Sequence, residues 1–87
     1  MTARYSDAEK AAAKRIGYGH ALRGAPYSAE WLADFRGIYA SLKRSAGSIR
    51  RCAKRMLAQA DRYDARVADA ALVARAIARE QRRAARS

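Results

Sequence analysis

Eighty-seven residues with 19 Lys and Arg against eight Asp and Glu carry a formal net charge of +11 and a pI near 10.9. A chain this short buries only about 60 % of the surface its unfolded form exposes, so self-association or a partner would help stabilise it. No run of some 18 apolar residues occurs, which excludes a membrane-spanning helix, and Cys52 is the only cysteine, which excludes an internal disulfide. Nothing resembles a secretory apolar stretch, so an intracellular, cytoplasmic setting is the expectation.

Much of the hydrophobic fraction is alanine, which favours helix but contributes little buried area. The expected fold is all-α, a small helical bundle of two shorter helices plus a long C-terminal helix in a single domain. Ser6-Asp7-Ala8-Glu9 has the S-x-x-E form of a capping box and opens a first helix over about 7–23. Gly17 and Gly19 interrupt it, so the helix either ends early or brings its backbone close to something there. Gly24 and Pro26 end it at the latest.

Ser28 is a good N-cap for a second helix over 29–44, with Glu30 in its first turn. Trp31, Leu32, Phe35, Ile38, Tyr39 and Leu42 form one apolar stripe at helical period. This stripe is the expected core, packed against Ile49, Met56 and Leu57. Ser45-Ala46-Gly47-Ser48 reads as a break before a third helix over 48–80, continuous or bent at Asp61-Arg62-Tyr63-Asp64, with 81–87 a fraying basic tail. Ile49, Ala53, Met56, Ala60, Tyr63, Val67, Ala70, Ala74 and Ile77 keep heptad spacing, which allows a homodimer through the Ile49 to Ile77 stripe.

Enzymatic groupings are nearly absent. His20 is the single histidine, no carboxylate pair lies on an apolar face, and no glycine-rich loop follows a strand. No catalytic residue, metal site or cofactor is expected. Cys52, on the apolar stripe between Ile49 and Met56, reads as a buried structural thiol.

Charge is concentrated in the middle of the chain. Residues 31–60 hold seven bases and one acid, and within them Lys43, Arg44, Arg50, Arg51, Lys54 and Arg55 place six bases in thirteen residues with no acid. Arg62 and Arg66 extend the track. Guanidinium groups bind phosphate oxygens bidentately, and displaced counterions supply affinity that is independent of base sequence. A solvated surface usually mixes charge signs, and like charges at i, i+4 destabilise a helix unless something neutralises them.

Gly17-Tyr18, Leu22, Gly24, Pro26-Tyr27, Trp31-Leu32 and Phe35-Arg36 resemble the order of Gly-Tyr, Gly, Pro-Tyr, Trp-Leu and Trp-Arg elements in ribosome modulation factors. These are small basic helical proteins that bind ribosomal RNA, so the resemblance implies RNA as partner. The spacings around Pro26 differ, Phe35 replaces a tryptophan, and the last forty residues have no counterpart.

The expected function is therefore non-enzymatic nucleic-acid binding, RNA or DNA, through phosphate contacts. A different class fits the same features: a phage or mobile-element type inhibitor or adaptor, anti-CRISPR-like, that binds an acidic or nucleic-acid-binding protein surface. A third reading, a helix-turn-helix-like DNA-binding regulator, rests on the Gly-containing turn expected between Leu32 and Leu57.

Overall fold

The computed structural model describes residues 5–19, 22, 29–53 and 56–86. These form three α-helices, α1 (Asp7–Arg15), α2 (Ala29–Cys52) and α3 (Leu57–Arg86), with no strand among the described residues. The chain is an all-α bundle that ends in a long helix. Its helices are gathered into two compact units, one of residues 1–25 with 69–87 and one of residues 26–68.

The first unit packs α1 on the C-terminal part of α3. Both ends of α1 are set by local chemistry. The Ser6 hydroxyl accepts from the Glu9 amide (3.1 Å) while the Ser6 amide donates to Glu9 Oε1 (2.8 Å), the reciprocal capping box expected from the sequence. At the other end Gly17 has φ +90°, the Tyr18 amide donates to the Ala13 carbonyl (2.7 Å) and the Gly17 amide to that of Lys14 (3.2 Å). That pair of bonds is a Schellman motif, which needs a left-handed residue after the helix and ends α1 at Arg15 rather than near residue 23.

Alanine dominates this interface. Ala12 and Ala13 of α1 and Ala70, Val73 and Ala76 of α3 are fully buried, joined by Tyr5, Ile16, Leu22 and Ile77. Small side chains let helices approach towards the short end of the usual 8–10 Å spacing. Two ion pairs fix the antiparallel register: Arg15 donates Nε–H and Nη2–H to the two oxygens of Asp69 (2.8 and 2.7 Å), and Arg79 reaches both oxygens of Glu9 (2.9 Å each). The carboxylates are the buried partners, because Glu9 and Asp69 side chains are 8 % and 15 % exposed against 41 % and 60 % for their arginines.

The second unit packs α2 on the start of α3. Phe35, Leu42, Ala46 and Ala60 are buried, and Trp31, Leu32, Tyr39, Ile49, Tyr63 and Val67 are half-buried around them. The Trp31 and Phe35 rings lie nearly parallel, 5.7 Å apart with 5° between their planes. The apolar stripe of the sequence is thus the packing face, but Ile38 (36 % exposed), Met56 (39 %) and Leu57 (54 %) stand outside the core expected to include them.

The expected break at Ser45–Ser48 is continuous helix. A glycine inside a helix costs about 1 kcal/mol, and burial of Leu42, Ala46 and half of Ile49 across that turn outweighs it. The helix ends instead at Cys52, where Ala53 accepts a bond from the Met56 amide (3.1 Å). Ile49 therefore belongs to α2 and not to a helix starting at residue 48. The turn behind the helix-turn-helix reading is absent from Ser45–Ser48. The helix α3 runs unbroken through Asp61–Asp64 and on to Arg86, so the expected tail over 81–87 is helical through Arg86. The heptad stripe is split between two helices, and its members Ala60, Ala70 and Ile77 are buried within the chain itself.

Candidate nucleic-acid interface

Extension of α2 to Cys52 changes how the central bases are presented. Lys43, Arg44, Arg50 and Arg51, expected on two helices, share one. At about 100° per residue, these four and Arg36 fall within an arc of roughly 120°, turned away from Phe35, Leu42 and Ala46. All five are exposed. The acids of this helix, Glu30 and Asp34, lie outside the arc.

The members of the arc differ in what holds them. The Lys43 ammonium sits 5.3 Å from the centroid of the Tyr39 ring, a cation–π contact that orients it without neutralising it. Arg51 donates Nε–H to the Gly47 carbonyl (3.3 Å), an uncharged acceptor one turn back. Arg50 is different. Its guanidinium is paired with Asp64 of α3 and lies 3.9 Å from Asp61, so it ties α2 to α3 and its charge is met within the protein. Of the expected set, Lys54 and Arg55 lie outside the described residues, as do His20 and Ser28.

Arg62 and Arg66 are exposed and form a group of their own on α3. With Gln59 and Tyr63 they line a shallow hollow of about 240 Å³. Two residues separate Asp64 from Arg66, roughly 200° around a helix, so this pair does not continue the side of α3 that meets Arg50.

The acids explain why so much positive charge stays at the surface. Five of the eight are committed to ion pairs: Glu9 to Arg79, Asp61 and Asp64 to Arg50, Asp69 to Arg15, and Glu80 to Arg83 at 3.3 Å. Asp7, Glu30 and Asp34 stand in or near the first turns of α1 and α2, where the helix dipole favours negative charge. Hydrogen bonding to Arg79 holds the Glu9 carboxyl below its ordinary pKa, against the opposing effect of burial, with Ser6 adding to the lowering. Arg15 does the same for Asp69.

Sequence reasoning missed a second basic array. Arg75, Arg79, Arg82, Arg83 and Arg86 lie on one side of α3, and four of them line a hollow of about 350 Å³. Their 4-3-4 spacing is visible in the sequence, but the expected bounds divide it, with Arg75 and Arg79 in the third helix and Arg82, Arg83 and Arg86 in the tail over 81–87. Cys52 is exposed rather than buried, because a continuous α2 turns it about 100° away from Phe35. Among the described residues no group of three or more His, Cys, Asp or Glu could hold a metal ion, and no helix is long and apolar enough to cross a membrane. No family model, curated protein or solved structure matches the chain.

Proposed function

We propose that this chain is a non-enzymatic nucleic-acid-binding protein that grips the phosphate backbone through Arg36, Lys43, Arg44 and Arg51 on α2, with Arg62 and Arg66 as a further contact pair. The observation that carries this reading is the basic arc on α2, in which Arg36, Lys43, Arg44 and Arg51 are exposed and only Arg50 meets acids, Asp61 and Asp64 of α3. Arg44 and Arg51 are seven residues apart, about 10 Å along the helix, far enough for each to meet a different phosphate. Contacts of this kind read no bases, so binding is largely independent of sequence. Such a partner fits an intracellular, cytoplasmic setting.

A second reading, an inhibitor or adaptor that docks on a host protein or nucleoprotein, is favoured by the exposure of Ile38, Met56 and Leu57. Exposed large apolar side chains are available to a protein partner in a way that a phosphate grip does not use. Affinity capture of the full chain with and without nuclease treatment separates the two. Loss of every co-purifying partner on treatment supports nucleic acid, and retention of a stoichiometric protein supports the adaptor.

A further inference from the structure

The arginines of the C-terminal part of α3 form a face separate in sequence and in unit from the arc on α2. Arg75, Arg79, Arg82 and Arg86 recur at steps of four, three and four, so at helical period they make one strip about 16 Å long, with Arg83 at its edge. Arg75, Arg82 and Arg86 are exposed, and among the described residues no ion pair engages them. The hollow lined by Arg79, Arg82, Arg83 and Arg86, about 350 Å³, is large enough for a phosphate group.

Two ordinary explanations fall short. Bases are favoured in the last turn of a helix by its dipole, which accounts for Arg83 and Arg86, and Arg79 is accounted for by its pair with Glu9, but neither explains Arg75, three turns from the end. Carboxylates meet only part of the group: Glu9 takes Arg79 and the buried Glu80 takes Arg83, which leaves Arg75, Arg82 and Arg86 without an ion pair among the described residues. Arg82 and Arg86, like charges at i, i+4, therefore destabilise the free helix slightly unless an anion lies against them.

We propose that this strip is a second phosphate-binding face, occupied by the backbone of a nucleic acid. This rests on the same nucleic-acid reading as the α2 arc but on different residues. A lipid surface suits it less well. Interfacial helices insert an apolar face, and here the apolar side of the helix, Ala70, Val73, Ala76 and Ile77, is already buried in the first unit. A second copy of the chain is also a poor occupant, since most of its carboxylates are committed to internal pairs.

The test is the salt dependence of binding of the full chain to a short labelled duplex, for the wild type, the triple variant Arg75→Gln, Arg82→Gln, Arg86→Gln, and Arg44→Gln with Arg51→Gln. Neutral glutamines avoid placing acids at a helix C-terminus, and circular dichroism confirms that helicity is kept. Each lost phosphate contact lowers the slope of log K against log salt by about 0.9, so the triple variant is expected to lose about 2 to 3 units of slope. An unchanged slope in that variant, with the α2 variant weakened, overturns this inference alone. Absence of duplex binding by the wild type at low salt overturns it together with the proposed function. Binding of phosphatidylserine vesicles that the triple variant loses, while its duplex slope stays intact, overturns it in favour of a membrane surface.

Discussion

Oε1 of Glu9 accepts two hydrogen bonds at once, 2.8 Å from the Ser6 amide and 2.9 Å from Nη2 of Arg79, so one buried carboxylate both caps α1 and clamps it to α3. Glu9→Gln keeps the shape of the side chain but removes the charge that Arg79 meets. The expected cost is about 1–2 kcal/mol, since Arg79 is partly solvated and the pair is screened accordingly. Urea denaturation checks it. A loss below a few tenths of a kcal/mol would mean that the clamp adds nothing beyond the cap.

The same carboxylates set an acid limit. Glu9 and Asp69 have pKa values lowered in the folded protein, so their contribution is fully present above their unfolded values, about 4.3 and 3.9, and is lost as pH falls through the folded ones. Thermal midpoints should be flat from pH 7 down to about 5 and decline below about 4. Combining Glu9→Gln with Asp69→Asn should flatten that decline, and an equally steep one in the double variant would assign acid lability to other groups.

Alanine at different glycines should act with opposite sign. Gly17 holds φ +90°, so Gly17→Ala forces a left-handed alanine and should destabilise by about 1–2 kcal/mol. Gly37 and Gly47 lie within α2, where an added Cβ meets nothing within 4 Å or only Nη2 of Arg51 at 3.8 Å. Alanine there should stabilise by about 0.5–1 kcal/mol. Destabilisation by Gly47→Ala would instead indicate the turn that the sequence suggests at that point.

Phe35 and Leu57 test the core. Phe35→Ala removes a ring that is 2 % exposed and stacked on Trp31, for an expected loss of about 3–5 kcal/mol. Leu57→Ala, at a side chain that is mostly exposed, should change stability by no more than about 0.5 kcal/mol. Differential scanning fluorimetry of the two variants reads the contrast.

Much of this architecture was legible in the residues. Ser6 and Glu9 announce their cap because its bonds are local, and Phe35 and Leu42 announce a core because large apolar groups at helical period have one use. The end of α2 was not legible, because the cost of one glycine at position 47 is small beside the burial of its neighbours, which depends on contacts distant in sequence. The pairing of α1 with α3 was hidden for another reason. Its interface is alanine, whose burial leaves little periodic signal, and the bonds that set its register join residues 54 and 70 positions apart. In the basic cluster the bare count of charges was visible, but the engagement of Arg50 by Asp61 and Asp64 was not.

Salt-titrated binding of a labelled duplex to the wild type and to Arg44→Glu with Arg51→Glu tests the central claim most directly. Both residues are exposed on the acid-free side of α2, so helicity should survive. With four to six phosphates engaged by the α2 arc and by Arg62 and Arg66, these contacts alone should contribute about −4 to −5 to the wild-type slope of log K against log salt, and the variant should lose most binding at moderate salt and flatten by about 2. Wild-type binding that does not change with salt, or a variant that binds as the wild type does, would contradict a phosphate grip by α2.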